Sequence, residues 1–366
     1  MEKFTSFSRK EYWQGQRKDF GRHVFGVFPV QYPREILWAM NILPVEIWDP
    51  PLTISNASAH LQPYICSVVR LGLELILQGK CKEIDGFLFP HTCDSIQNLA
   101  SIVNDYLGLS TPCYFFYHPK APYKESARSF YVDQLKNLTG RIGRKFGELN
   151  PTELERYIEK GKKISSLIKE VYEIRALGKA WSSNLDFYKV IRQGEFLHPD
   201  DFMPLLTRYA DFLKEKENSI KGVSVVLSGI VPNPPEILSL LDEMGIAIAD
   251  DDLACCGRRF IETQIGQGDP FDMMAEAYFK MPPCSTKDSP SSERFEYILN
   301  KVEESGAGGV IFNMVKFCEP ELFDVPYLVD ELKKKGVPTL VIDTEVNQGL
   351  SGQLKTRLEA FIEIIS

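Results

Sequence analysis

An internal repeat is the sequence feature that most constrains the fold. Residues 26–49 contain an apolar stretch, a proline-started helical pattern and a second apolar stretch ending in aspartate, and residues 228–250 contain the same parts at similar spacing. Proline suits the first turn of a helix because its missing N–H would have no partner there. Two further pairs of similar segments follow in the same order: 85–94 with 309–319, and 112–119 with 338–345. Three pairs in one order predict a repeated structural unit.

Each half alternates predicted strands and helices, which indicates parallel sheets with right-handed crossovers. A chain of 366 residues is longer than one core usually supports, so we expect two α/β domains. The first is placed at 1–150 and the second at 217–366. A block of helices at 151–216, with heptad-like apolar spacing, is interpreted as a packing or dimerisation element.

The boundaries of the predicted elements follow from the apolar periodicity and its breaks. Strands are predicted at 23–29, 44–48, 85–91, 112–118, 222–230, 246–250, 308–315 and 338–343. Helices of the two domains are predicted at 33–42, 63–79, 94–107, 126–147, 234–244, 270–280, 291–304, 321–335 and 351–365.

Charge and hydropathy exclude several classes of protein. The net charge of −8 and the pI near 5.4 argue against a nucleic-acid surface, because phosphate binding needs a basic field. No apolar run reaches the length that spans a membrane. Residues 1–22 are polar and aromatic and lack the apolar core of a signal peptide, so a cytoplasmic protein is expected.

Eight cysteines are present, and in a cytosolic protein they are not expected to form disulfides. Unpaired cysteine is often simply a small buried hydrophobe. Cys81 precedes a predicted strand and Cys113 opens one, and this amino end of a parallel sheet is the wrong end for ligands, so both are interpreted as structural. The other six follow strands or begin helices: Cys66, Cys93, Cys255, Cys256, Cys284 and Cys318.

These six thiols are expected to face one cleft between the two domains. Helix N-termini there would favour thiolate and stabilise the sulfides of a cluster. Close C-x₂-C pairs, typical of zinc fingers, and ferredoxin-type runs are both absent, so dispersed single cysteines favour an iron–sulfur cluster at the rim of an active site. The adjacent Cys255 and Cys256 are expected to have diverging side chains, so they could serve different irons or different halves of a larger cluster.

Several of these motifs together resemble the family of 2-hydroxyacyl-CoA dehydratase and benzoyl-CoA reductase subunits, over nearly the whole chain. They lie at 43–45, 64–66, 91–94, 251–259 and 316–318. The resemblance implies two flavodoxin-like domains and a cubane cluster held by three cysteines, which map to Cys66, Cys93 and Cys318. It also implies an electron-donating partner, a separate ATP-hydrolysing activator that carries its own [4Fe-4S] cluster.

The chain has three further cysteines, Cys255, Cys256 and Cys284. In this it is similar to the double-cubane branch of that family. Its members are homodimers in which six cysteines hold two sulfide-bridged cubanes and reduce small molecules such as acetylene. The resemblance therefore implies an iron–sulfur oxidoreductase of this kind. A dehydratase or reductase subunit with one [4Fe-4S] cluster is the alternative, and a non-catalytic cluster carrier is a second one. Cys113 is the reserve ligand if one of the adjacent pair is structural.

Other residues near the expected cleft are weaker candidates. His91 could deliver protons because histidine titrates near neutrality, or it could bind a backbone carbonyl. Lys316 could place positive charge near an anionic cluster, and Glu345 could act as an acid or base. Arg258 or Arg259 is expected to form an ion pair with Asp251 or Asp252. The chain has no G-x-x-x-x-G-K-[ST] phosphate loop, so it is not expected to hydrolyse the nucleotide by that route.

Overall fold

The computed structural model describes residues 4, 8–178, 182–216, 222–259 and 266–366. It contains two four-stranded parallel sheets of identical topology. The first has the order β2-β1-β3-β4 and the second the order β6-β5-β7-β8. The strands are β1 (His23–Val27), β2 (Ile42–Glu46), β3 (Gly86–Pro90), β4 (Cys113–Phe116), β5 (Val223–Gly229), β6 (Ile246–Leu253), β7 (Gly309–Val315) and β8 (Thr339–Thr344). The predicted α/β class with two duplicated flavodoxin-like domains is confirmed.

Helices surround both sheets. Those of the first half are α1 (Arg9–Phe20), α2 (Arg34–Ala39), α3 (Ser67–Leu77), α4 (Asp94–Ser101) and α5 (Ala127–Phe146). The middle of the chain forms α6 (Pro151–Ala176), α7 (Asn184–Ile191) and α8 (Pro199–Lys214). Those of the second half are α9 (Glu236–Glu243), α10 (Pro270–Phe279), α11 (Ser291–Ser305), α12 (Glu319–Lys334) and α13 (Gly352–Ile365). Within the described ranges, no helix combines the length and apolar character needed to cross a membrane.

Several predicted boundaries differ from the structure: the helix predicted at 63–79 begins at Ser67, and the α-helix predicted at 94–107 ends at Ser101. Two other differences have a clear physical reason. The helix predicted to reach residue 42 ends at Ala39, because Asn41 adopts a left-handed backbone (φ 56°) and Ile42 already pairs with His23 in the sheet. Strand β6 continues past Asp250 to Leu253. Its acidic residues can remain in the strand because each has a buried or half-buried partner: Lys301 for Asp250, Tyr172 and Tyr188 for Asp251, and Arg258 and Arg294 for Asp252.

The middle helices pack against the second sheet within the same chain. Arg175 of α6 is buried, and its guanidinium donates to the Ile248 carbonyl (2.6 Å) and to Asn184 Oδ1 (2.7 Å). The apolar residues that suggested a dimerisation seam are buried here, among them Ile158, Ile164, Ile168 and Val171. The division into three segments stays a prediction, but this apolar face is used inside the protomer.

The carboxyl ends of the two sheets are joined by polar contacts. Arg70 in α3 lies 3.3 Å from Glu345, just past β8, and the Val346 amide donates to Ser67 Oγ (3.1 Å). Asp49, just past β2, accepts from Arg192 (2.8 Å) and from Asn233 (2.9 Å). Loops from both halves therefore meet at the edge where parallel sheets bind ligands.

Candidate functional site

Three cysteines occupy the same local position, immediately before a helix that begins at this edge. Cys66 precedes α3, Cys93 precedes α4 and Cys318 precedes α12. The first amides of a helix have no partner within the helix and can donate to a sulfur placed there. The amides near these sulfurs, which act to lower the thiol pKa, are those of Val68 and Val69 for Cys66, Ser95 and Ile96 for Cys93, and Glu321 for Cys318. Among the described residues, none of the three sulfurs accepts a cap hydrogen bond of standard geometry.

These three thiols also act on one another electrostatically. Burial raises the pKa of the Cys66 thiol to about 12, and the neighbouring Cys93 contributes to the rise. Burial raises the pKa of Cys318, and the charges of Cys66, Glu321 and Cys93 raise it further. Cys66, Cys93 and Cys318 therefore lie within electrostatic reach of one another, and we call them the helix-start thiols. As thiolates they would repel one another unless positive charge lay between them.

Cys284 is linked to this group through Lys120. The Lys120 ammonium donates to the carbonyls of Thr92 (3.1 Å) and Thr286 (2.5 Å), and so joins segments of the two halves. Burial lowers the pKa of Lys120, whereas Asp288, Cys93 and Cys284 raise it. The net effect is a lowered pKa, and Lys120 lies within electrostatic reach of the thiols of Cys93 and Cys284.

Arg258 makes a second link. Its Nη1 donates to the sulfur of Cys284 (3.3 Å), and its Nη2 donates to Glu321 (2.8 Å) at the start of α12. Its Nε lies 3.1 Å from Asp252, so the expected ion pair of Arg258 is present. All three charged side chains are almost fully buried. Arg259 pairs instead with Glu46 of β2.

Cys255 and Cys256 have a different environment. Their sulfurs are 3.3 Å apart, so the expectation that these side chains diverge is wrong. Both residues are buried, and Cys256 is influenced by Asp251 and Arg192 in addition to Cys255. Within the described residues, no contact of hydrogen-bonding length joins either sulfur to the helix-start thiols.

The described residues hold no preformed site for a single metal ion. No three His, Cys, Asp or Glu side chains among them are grouped closely enough to hold one. The helix-start thiols nevertheless lie close enough to influence one another's pKa. A cubane spreads its thiolate ligands around a core of several atoms, and this donor set fits such a group.

Comparison with known proteins identifies the family of this chain. Residues 29–365 match the family model described as "2-hydroxyglutaryl-CoA dehydratase, D-component". The chain belongs to this family. The family prediction made from the motifs is therefore confirmed.

Relatives of the dehydratase family cover almost the full length of the chain. Lactoyl-CoA dehydratase subunit beta of Anaerotignum propionicum is 28% identical over 360 residues, covering 95% of this chain and 93% of that protein. (R)-phenyllactyl-CoA dehydratase beta subunit of Clostridium sporogenes is 24% identical, covering 97% and 95%. A benzoyl-CoA reductase subunit of Thauera aromatica is 26% identical, covering 96% and 93%.

The weaker candidates of this dehydratase-family chain lie around the same edge. His91 Nε2 is 3.9 Å from Asp94, and burial and the charge of Lys120 lower the pKa of His91. Lys316 is exposed and Glu345 is engaged by Arg70.

The two cysteines interpreted as structural lie apart from this edge. Cys113 begins β4 and Cys81 is buried before β3.

Sequence reasoning missed Lys120 and Glu321. Lys120 follows β4, so the rule that ligands gather past the carboxyl ends of strands could have indicated it. Glu321 had no such signal, because its role depends on Arg258 from another element.

Proposed function

We propose that this chain is the iron–sulfur component of a reductase, with a cubane held by Cys66, Cys93 and Cys318. The observation that carries the proposal is the convergence of three thiols, each at a helix start and each within the electrostatic influence of another. Their raised pKa values favour neutral thiols in the bare protein, and a cationic iron core would reverse this by stabilising the thiolates.

A cluster accounts for these thiols better than zinc. Zinc requires its ligand atoms about 2.0–2.3 Å from one centre, whereas no group of three side chains in the described part of the chain is so arranged. Amide donors at three helix starts also suit sulfur atoms that carry delocalised negative charge. Hydrogen bonds to sulfur and burial are the main means by which a protein sets a cluster's potential.

When bound, the cluster would accept and pass on single electrons at low potential. The chain's own residues would position it and balance its charge. Lys120 supplies a cation beside Cys93 and fixes the Thr92 and Thr286 carbonyls in place. Arg258 holds the start of α12, and hence Cys318, through Glu321. His91 is the candidate proton donor at the edge of the site, with Lys316 and Glu345 further out.

The surplus thiols support an extended cluster. Cys255, Cys256 and Cys284 would hold a second cubane, bridged by sulfide to the first, giving a double-cubane [8Fe-9S] cluster. In this proposal the chain is a cytoplasmic homodimer that receives electrons from an ATP-hydrolysing activator and reduces a small molecule. Lys120 and Arg258 support the assignment of Cys284, since both connect it to the helix-start thiols.

A second candidate is a dehydratase subunit with a single [4Fe-4S] cluster. It is favoured by the contacts of Cys255 and Cys256 with each other, apart from the helix-start thiols. The names of the relatives, lactoyl-CoA and phenyllactyl-CoA dehydratase subunits, are also consistent with it.

Anaerobic purification followed by iron and sulfide quantification tests both candidates. A bridged pair of cubanes contributes about eight irons per chain and a single cubane about four. A chain that retains one zinc and no acid-labile sulfide would overturn both. ATP-dependent acetylene reduction with the cognate activator then separates a reductase from a dehydratase subunit or a passive carrier.

A further inference from the structure

A cavity of about 90 Å³ lies where three parts of the chain meet. Its walls are the segment 30–38 after β1, helix α6 and helix α10. A single water needs only roughly 10–15 Å³, so the cavity is large enough for a small organic ligand. None of the cysteines lines it, so it is distinct from the thiol site.

The cavity walls are mainly apolar and adaptable in shape. Met273, Met274 and Met281 contribute thioether side chains, and Tyr131 and Tyr278 contribute ring faces. Methionine adapts to irregular ligands because its side chain is unbranched and polarisable. These walls suit the hydrocarbon body of a small molecule.

Two residues of the walls, Gln31 and Trp38, each have a polar side-chain atom without a hydrogen-bond partner among the described residues. Gln31 Oε1 and Trp38 Nε1 are buried and make no hydrogen bond, although both residues are more than nine-tenths buried. Leaving a buried polar atom without a hydrogen bond is costly, so native structures rarely do so without a reason. Both atoms belong to residues that line the cavity.

The backbone of Gln31 is also strained. Its backbone is left-handed (φ 62°), a conformation that a residue with a side chain seldom adopts. Residues held in this way concentrate at binding sites, where the surrounding structure maintains them. Strain and an unpaired amide oxygen therefore coincide at one residue of the cavity wall.

Arg34 contributes a positively charged side chain to the cavity wall. Its guanidinium lines the cavity, is half-buried, and has no carboxylate within ion-pair distance among the described residues. Arg259, which also lines the cavity, already has Glu46 as its partner. Burial raises the pKa of Glu35, whereas the neighbouring Arg34 acts to lower it. Burial and Arg259 lower the pKa of Arg34, whereas Glu35 and Glu46 act to raise it. Arg34 is thus a cation facing a largely apolar space.

We propose that this cavity binds a small organic monocarboxylate with an apolar body. The carboxylate would pair with Arg34, a hydrogen bond from Trp38 Nε1 would complete the anion site, and the methionines would enclose the hydrocarbon part. A guanidinium presents parallel donors that match the two oxygens of a carboxylate. The Gln31 amide, rotated to present its NH₂ group, would add a further donor. The proposal uses no cluster and no activator, so it stands apart from the proposed function.

Isothermal titration calorimetry on the full chain tests it, with cluster-loaded and cluster-free protein run in parallel. The probes are 3-methylbutanoate and 4-methylpentanoate, each compared with its primary amide. The acids are expected to bind in both preparations and the amides not to bind. The variant Arg34→Gln should weaken acid binding by roughly tenfold or more. The matched control Arg208→Gln, at an exposed position on α8, should leave it unchanged.

A second variant separates binding from folding. Gln31→Gly removes both the strain and the amide donor, so it should raise the thermal midpoint of the ligand-free protein while weakening acid binding. Absence of acid binding to the wild type, equal binding by the amides, or undiminished binding by Arg34→Gln would overturn the proposal. A preference for leucine over 4-methylpentanoate would also overturn the monocarboxylate class, because the ammonium group would then be recognised through Glu35.

Discussion

The helix-start thiols and the Cys255–Cys256 pair both follow strands of the repeated unit, yet they differ in what surrounds their sulfurs. Cys66, Cys93 and Cys318 each lie at a helix start, near amides that act to lower the thiol pKa, and they influence one another. Cys255 and Cys256 contact each other and lie near Arg192 and Asp251. Equivalent positions in a duplicated fold therefore do not guarantee equivalent chemistry, because the helix that receives the chain decides whether amides point at the sulfur.

The largest effect is expected from removing a helix-start thiol. Cys93→Ala should lose most of the bound iron, because a cubane with two protein ligands is held far less firmly. Iron and acid-labile sulfide per chain, measured after anaerobic purification, provide the readout. Cys113→Ala is the matched control and should keep the wild-type iron content. Equal iron loss in both variants would remove the distinction between the two cysteines.

Substitution of both adjacent cysteines tests whether this pair binds iron. If the double-cubane proposal is right, the variant Cys255→Ala/Cys256→Ala should lose about half of the iron and keep one cubane. Iron quantification with electron paramagnetic resonance of the reduced protein distinguishes the outcomes. Full iron retention would assign the pair to the core and favour the single-cubane candidate.

The Arg258 link is expected to matter for stability. Arg258→Met leaves Asp252 and Glu321 buried with one partner fewer, which should lower the free energy of unfolding by about 3–5 kcal/mol. Chemical denaturation of the cluster-free protein measures it. Arg128→Met, which removes an exposed pair with Asp272, should cost less than about 1 kcal/mol. Similar losses in both would mean that the buried network adds little.

The Lys120 link should have the smallest effect. Lys120→Met removes a cation beside Cys93 and Cys284, and the reduced cluster carries more negative charge than the oxidised one. The reduction potential should therefore fall by on the order of tens of millivolts, with iron content retained. A redox titration followed by paramagnetic resonance measures the shift, and Lys124→Met at an exposed position is the control. An unchanged potential would place Lys120 outside the influence of the cluster.

Much of the architecture could be predicted because its signals are local. The repeated apolar segments predicted the eight strands within a few residues, and proline or cysteine marked several helix starts. The boundary at Ala39 could not be predicted, since it depends on the left-handed backbone of Asn41. The extension of β6 through Asp252 depends on partners that are distant in sequence, such as Arg294 and Tyr172.

The candidate site shows the same division. The positions of Cys93 after β3 and of Cys318 after β7 could be predicted from the order of residues along the chain. The contact between the sulfurs of Cys255 and Cys256 is set by the turn that follows β6. The position of Lys120 near Cys93 and Cys284 is set by how loops pack across the two halves. Periodicity carries no information about those contacts.

By itself, the order of residues determined the duplicated parallel sheets, the helix starts and the membership of the dehydratase family. These depend on backbone hydrogen bonding and apolar spacing, which act over a few residues. The tertiary structure decided which thiols share a space, which arginines are neutralised, and that Arg34 faces a cavity without an ion-paired carboxylate among the described residues. Such outcomes depend on charges and burial contributed by segments far apart in the chain, so they exist only once the two halves and the middle helices have packed together.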